Sequence, residues 1–142
     1  MTRLAALLSV VLSAPALAVA PATYSVAFQD PSATIGQACA MKFTVDGAAE
    51  AGARVFVFFS TSEGTSTVRV DGRDVTLPLG SGAWLAARTN VAGALSGLAG
   101  SVPPDRALVG TRLYASIVVV RADGSLFVSA RTGGPIIQDA IA

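Results

Sequence analysis

Few side chains in this 142-residue sequence could carry out chemistry. It contains no histidine and a single cysteine, so no serine–histidine or cysteine–histidine nucleophile can be assembled and the commonest metal ligand is missing. The one lysine, Lys42, alternates outward from a predicted strand, which makes it a poor candidate for a buried nucleophile. Phosphate-binding Gly-x-x-x-x-Gly-Lys, Gly-x-Ser-x-Gly and Cys-x-x-Cys motifs do not occur. The sequence predicts no catalytic residue, no metal ligand and no cofactor.

The nine carboxylates are the remaining candidates for acid–base work. Most stand at predicted turns beside glycine or proline, where an aspartate side chain accepts hydrogen bonds from nearby backbone. A glycosidase needs two facing carboxylates about 5–10 Å apart, and no predicted strand carries a candidate pair. Asp71-Gly72-Arg73-Asp74 could offer oxygen ligands to calcium but lacks the Asp-x-Asp-x-Asp-Gly loop. We therefore expect the carboxylates to shape turns, and we expect the protein not to be an enzyme.

Aromatic side chains are better candidates for ligand binding. Trp84 is the only tryptophan and follows a glycine-rich loop. It is either a core residue, as in many sandwiches, or an exposed platform for a sugar ring together with Tyr24. The sequence leaves both interpretations open.

Several apolar residues are candidates for assembly contacts. Phe56 and Phe58 share one face of the segment 54–60, whose other face is also apolar, so one face could be an interface. The apolar segment 133–142 either folds back as a last strand or pairs with the sheet edge of a neighbouring subunit. The lone cysteine is either buried or part of an intermolecular disulfide. The assembly candidates are Phe56, Phe58, Ile136, Ile137, Ile141 and Cys39.

Composition and the N-terminus together predict an exported globular protein. Hydrophobic residues make up 52% of the chain, charged residues 13%, and the formal net charge is +1. These values exclude a disordered chain and leave no electrostatic footprint for nucleic acid. Arg3, the apolar run 4–12 and Ala16-Leu17-Ala18 form the pattern of a secretory signal peptide, residues 1–18. The alternative is a membrane anchor, but the apolar stretch 4–20 is short for a span and contains a proline. We expect a periplasmic, cell-surface or extracellular protein, with no membrane insertion once the leader is removed.

The remaining sequence is typical of short strands separated by turns. Apolar alternation predicts strands over 23–28 and 39–45, and the Asp-Gly pairs at 71–72 and 123–124 favour tight hairpins. We interpret the glycine-rich segment 92–100 as a strand loosened by a bulge rather than as a helix. About six or seven strands without a convincing helix indicate an all-β sandwich or small barrel. We expect one β-sandwich domain, residues 19–132, followed by an apolar C-terminal tail, residues 133–142.

The segment 102–130 resembles the closing part of an immunoglobulin-like or fibronectin type III-like module of bacterial secreted or cell-surface proteins. The matching residues are Leu108, Gly110 and Tyr114: a leucine before a glycine, then a tyrosine entering the penultimate strand. The resemblance implies a single immunoglobulin-like β-sandwich of about seven antiparallel strands, with Tyr114 as a tyrosine-corner residue bonded to upstream backbone. Gly110 lies one residue further from Tyr114 than in the fibronectin-type pattern, and the cysteine pair of antibody domains is missing.

The resemblance implies adhesion, spacing or assembly rather than catalysis. With the residue-level observations, it predicts a non-catalytic secreted structural or interaction protein that self-assembles or decorates the cell surface. The expected partner is the protein itself or another secreted or cell-surface protein, and not a nucleic acid. The alternative is an accessory module that binds carbohydrate or another ligand through Trp84.

Overall fold

The computed structural model describes residues 20–140, and these residues are mostly β-strand, which confirms the all-β prediction. The described part of the chain contains eleven strands: β1 (Thr23–Phe28), β2 (Ala33–Thr34), β3 (Ala38–Asp46), β4 (Arg54–Ser60), β5 (Ser66–Val70), β6 (Arg73–Leu77), β7 (Trp84–Asn90), β8 (Leu98–Ser101), β9 (Arg112–Val120), β10 (Leu126–Val128) and β11 (Thr132–Gln138). One short helix, α1 (Val91–Ser96), and a 3-10 turn (Arg106–Leu108) interrupt them. The predicted leader, residues 1–18, lies outside the described residues.

The longer strands form two sheets, and buried side chains of both sheets contribute to the main core. The smaller sheet has the order β1-β3-β8, and both of its pairings are antiparallel. The larger sheet has the order β2-β11-β9-β4-β7, and β10 also pairs with β9. Because strand side chains alternate between faces, Val55, Val57 and Phe59 of β4 enter the main core together with Tyr24 and Phe43 of the smaller sheet.

The β5–β6 hairpin covers the outer face of the larger sheet. Asp71 and Gly72 form its two-residue loop with φ values of +56° and +78°, as the Asp-Gly pair predicts. The hairpin and the sheet enclose a second core whose buried members are Phe56, Phe58, Val70, Val75, Leu77, Leu79, Val118 and Val120. This second core explains why the segment 54–60 is apolar on both faces.

Arg54 ties the hairpin loop to β4. Its guanidinium donates two hydrogen bonds, of 3.1 and 2.6 Å, to the carboxylate of Asp71. These bonds favour the ionised carboxylate and lower the pKa of Asp71. Both side chains are almost half exposed to solvent, so the pair orients the loop more than it stabilises the fold.

The segment 92–100 is not the bulged strand that its glycines predicted. Val91–Ser96 forms α1, and only Leu98–Ser101 is a strand. The helix begins because the side chain of Asn90 accepts a hydrogen bond of 2.7 Å from the amide of Gly93. Val91 and Ala94, three residues apart, then share the buried side of the helix. The prediction was wrong because this cap and spacing outweigh the low helix propensity of the glycines.

Glycines allow two aromatic rings to lie directly against the backbone. A Cβ atom on Gly100 of β8 would come within 2.6 Å of Cε2 of Phe59. A Cβ atom on Gly134 of β11 would come within 2.5 Å of Cδ2 of Phe28. The two rings are neighbours with centroids 5.6 Å apart, so both glycines are needed for this end of the core to close.

β10 and β11 lie end to end along β9 and are separated by a bulge at Ser129. The Ser129 amide donates to the carbonyl of Ile117, and the amide of Ile117 donates to Ser129 Oγ, each at 3.0 Å. The side-chain oxygen thus replaces a missing backbone acceptor. β11 itself pairs with β9 and, in parallel, with β2. Residues 133–138 therefore fold back as a strand of their own sheet, which was one of the two arrangements considered for the C-terminal segment; the other was pairing with a neighbouring subunit.

Candidate binding site at the β3 edge

β3 is longer than its neighbour β8, which leaves part of the β8-facing edge of β3 without a strand partner. On one side, β1 pairs with residues 41–46. On the other side, β8 pairs only with residues 38–41, because the chain enters β8 directly from α1. From Lys42 to Asp46, β3 is therefore an edge strand of the smaller sheet.

The backbone groups on this open edge belong to alternate residues. The amide of Gln29 donates to the carbonyl of Ala40 at 3.0 Å, so the even-numbered residues of β3 direct their N–H and C=O groups towards β1. The odd-numbered residues direct theirs to the opposite edge, where Met41 is opposite Leu98 of β8. Within residues 20–140, the backbone groups of Phe43 and Val45 have no partner on that edge.

A groove of about 310 Å³ lies beside the open edge. It is lined by Gln29, Met41, Lys42, Phe43, Ala94, Leu95, Ser96 and Gly97. Leu95 is 54% exposed, more than any other large hydrophobic residue of the described chain. Lys42 and Asp46 are exposed, and no ion pair with another described residue engages either of them. An exposed leucine beside unpaired backbone groups is suited to binding an extended segment by strand addition.

Trp84 and Tyr24, the ligand-binding candidates, do not form a shared surface. Trp84 is half-buried on β7, edge-on to the ring of Phe59, and its indole N–H donates to the carbonyl of Ser101 at 3.0 Å. Trp84 therefore connects β7 to β8. Tyr24 is only 3% exposed, and its ring stacks on Phe43 with centroids 5.7 Å apart. Tyr24 consequently offers no ring surface to a ligand.

The assembly candidates occupy different environments. Phe56 and Phe58 lie beneath the hairpin and are 7% and 5% exposed. Ile137 and Cys39 are each 1% exposed, whereas Ile136 is 44% exposed. Ile141 lies outside the described residues. Contacts through Phe56 or Phe58 would require displacement of the hairpin, so Ile136 is the accessible member of the described set.

Cys39 is expected to be unreactive in the folded protein. Burial, with a smaller effect from the Asp30 carboxylate, raises the pKa of its thiol to about 11. At pH 8 the thiol is therefore protonated as well as buried, and we expect negligible alkylation in buffer but complete alkylation in denaturant. Labelling followed by intact-mass measurement checks this expectation. Rapid labelling of the folded protein, or a disulfide-linked dimer without reductant, would contradict it.

Tyr114 belongs to a charged network rather than to a tyrosine corner. Its hydroxyl donates to Oε1 of Glu63 at 3.1 Å, where a tyrosine corner would use a backbone acceptor. Arg131 donates to Oε2 of the same carboxylate at 3.0 Å and lies 5.7 Å from the centre of the Tyr114 ring. The network holds the connection between β4 and β5 against β9.

Aspartates at turns accept hydrogen bonds from local backbone, as their positions predict. Asp105 accepts from the amide of Ala107 at 3.0 Å, and Asp123 accepts from the amide of Ser125 at 2.9 Å. Asp30 differs, because it accepts from the amide of Ala40, ten residues away on β3, at 2.8 Å. Across residues 20–140, no three histidine, cysteine, aspartate or glutamate side chains are grouped as a metal site would require.

Comparisons of the chain with protein-family models, with curated proteins and with solved structures found no match. In the part of the chain that the structure describes, no helix is long and apolar enough to cross a membrane.

Proposed function

We propose that this chain is an exported, non-catalytic interaction module with an immunoglobulin-like sandwich, and that it self-assembles through the exposed edge of β3. The observation that carries the proposal is the unpaired stretch Lys42–Asp46 beside the groove walled by Leu95. Free backbone donors and acceptors on an edge strand are a template for pairing with another strand.

The strand order supports the immunoglobulin-like part of the proposal. Seven principal strands remain when β10 and β11 are counted as one bulged strand and when the two-residue β2 and the β5–β6 hairpin are left out as additions to the sandwich. The seven principal strands then place the first, second and fifth in one sheet and the third, fourth, sixth and seventh in the other. Immunoglobulin-like sandwiches, which mainly serve recognition and assembly, divide their strands in a related way.

Export and the lack of catalysis rest on different observations. Export rests on the leader pattern over residues 1–18. The non-catalytic role rests on a sequence without histidine and on Asp105 and Asp123, which accept hydrogen bonds from backbone two residues away. The carbohydrate-binding alternative has less support, because the indole N–H of Trp84 is engaged and Tyr24 is buried.

The proposal predicts reversible self-association of the exported protein. Light scattering over a concentration series should show the mass rising from monomer towards dimer in the range of about 10–500 μM, as expected for a small interface. Reductant should have no effect, because Cys39 is buried. Leu95→Arg should weaken association, whereas Leu85→Arg, at a residue of similar exposure on β7, should not. A protein that is monomeric at every concentration would contradict self-assembly.

A further inference from the structure

We infer that two copies of this chain pair their β3 edges antiparallel about Thr44, across a two-fold axis, to form one continuous sheet. The inference rests on the proposed self-assembly and specifies its geometry. The occupant of the open edge is thus the same stretch, Lys42–Asp46, of a second copy.

The direction of the backbone groups fits this register. In an antiparallel pair centred on Thr44, Phe43 lies opposite Val45 of the second copy, and Val45 lies opposite Phe43. These are the two residues whose N–H and C=O groups face the open edge. Such opposed residues exchange both of their hydrogen bonds. The pairing therefore forms four bonds and satisfies every open-edge backbone group of the stretch.

The side chains of the stretch are complementary in the same register. Lys42, Thr44 and Asp46 all lie exposed on the outer face of β3. Lys42 comes opposite Asp46 of the second copy, and the two-fold axis repeats this contact, so two cross-strand ion pairs form. Both pairs occupy non-hydrogen-bonded positions, where opposed side chains approach most closely. A shift of the register by two residues would place Lys42 opposite Thr44 and lose both ion pairs.

The length of the open edge also matches this arrangement. The residue after Asp46 is Gly47, whose φ of +105° turns the chain out of the strand. If the pairing were extended by one residue, Gly47 of the first copy would come opposite Met41 of the second copy. That side of Met41 is already occupied by Leu98 of the same chain. Self-pairing of residues 42–46 therefore fills the open edge from end to end. The exposed side chain of Leu95 lies beside this edge and can be covered by the second copy.

Charge reversal distinguishes this register from other modes of association. In Lys42→Asp, two carboxylates face two carboxylates across the interface. In Asp46→Lys, two ammonium groups face two ammonium groups. Each variant alone should dimerise about tenfold more weakly than the unaltered chain at low ionic strength, because two cross-strand attractions become repulsions.

Mixing the two single variants should restore association. In the mixed dimer, the carboxylate introduced at position 42 of one chain faces the ammonium group introduced at position 46 of the other, and the native Asp46 faces the native Lys42. The double variant K42D/D46K should likewise associate about as well as the unaltered chain. Arg88→Asp, a comparable charge reversal at an exposed residue of β7, is the control and should leave the mass unchanged. The measurement is sedimentation equilibrium on the exported full chain, with thermal melting to verify that each variant folds.

Amide exchange gives a second readout at the level of single residues. As the concentration rises into the dimeric range, the amide protons of Phe43 and Val45 should become protected by at least about tenfold. Those of Lys42 and Thr44, which face β1, should remain protected at all concentrations.

The possible outcomes distinguish failure of the β3 pairing from failure of the proposed self-assembly. Self-association that is unaffected by either charge reversal and is not selective in the mixture would overturn the β3 pairing but leave self-assembly standing. A chain that stays monomeric in every measurement would overturn the proposed function itself. Rescue in the mixture, with alternate-residue protection, supports the two-fold β3 interface.

Discussion

Phe59→Ala is expected to lower the free energy of unfolding by about 3–5 kcal/mol. Phe59 is fully buried, and its ring contacts those of Phe28 and Trp84 at centroid distances of 5.6 and 6.1 Å. Removal of the ring leaves a cavity between the two sheets, next to the place where Trp84 of β7 is hydrogen-bonded to β8. Denaturant unfolding at pH 7 measures the loss, and Leu85→Ala, at an exposed site on β7, should cost less than about 0.5 kcal/mol.

A double-mutant cycle with Gly100 tests the cause of this effect. Gly100→Ala alone should cost about 1–3 kcal/mol, because its new methyl group collides with the Phe59 ring. The backbone of Gly100 has no positive φ, so the substitution introduces no backbone strain. In the Phe59→Ala background the collision with the ring is absent and only the contact of 3.1 Å with Cβ of Ala86 remains, so the cost of Gly100→Ala should fall below about 1 kcal/mol. Costs that simply add would contradict the close packing of this ring on β8.

The second large effect is expected at Leu77, in the core beneath the hairpin. Leu77→Ala should cost about 2–5 kcal/mol, because the side chain is fully buried. β5 and β6 pair with each other and with no other described strand. The hairpin is therefore held to the larger sheet chiefly by side-chain packing. We expect its amides to exchange faster, and proteolysis near Glu63 to increase, before the main core is affected.

Thr76→Ala is the matched control for the hairpin prediction. Thr76 precedes Leu77 on β6, but its side chain is exposed. Its replacement should change stability by less than about 0.5 kcal/mol and leave the exchange pattern unaltered. Equal acceleration of exchange in the hairpin and in β9 after Leu77→Ala would show that the two cores unfold as one unit.

Much of the sheet structure follows from local sequence patterns. Alternation of apolar residues locates β1 and β3, and the Asp-Gly pairs locate two hairpins, because side-chain period and turn conformation are local properties. The two apolar faces of the segment 54–60 indicate that neither face is left to solvent, and they suggest an interface on one of the two faces. They do not reveal that a hairpin from the same chain provides the second cover, since that depends on long-range packing.

The candidate site was not predicted for a related reason. The open edge of β3 exists because β8 begins at Leu98, and β8 begins there because α1 precedes it. Because the glycines of the segment 92–100 were interpreted as a bulged strand, neither the helix α1 nor the late start of β8 was predicted. The available signal was the exposed alternation of Lys42, Thr44 and Asp46, which becomes informative only once the neighbouring strand is known to be shorter. By contrast, the alternation in β1 already places Tyr24 on the face that carries Val26 and Phe28, so this pattern favours a buried Tyr24 over a sugar platform.

The position of the hairpin in the chain has a consequence for synthesis. Ribosomes deliver the chain from its N-terminus at roughly 5–20 residues per second, whereas a hairpin forms in about 1–10 μs. Because β5 and β6 directly follow β4, their apolar side chains can cover Phe56 and Phe58 seconds before β9 has been made. The hairpin can thus cover one apolar face of β4 in the nascent chain before β9 is available to pair with this strand.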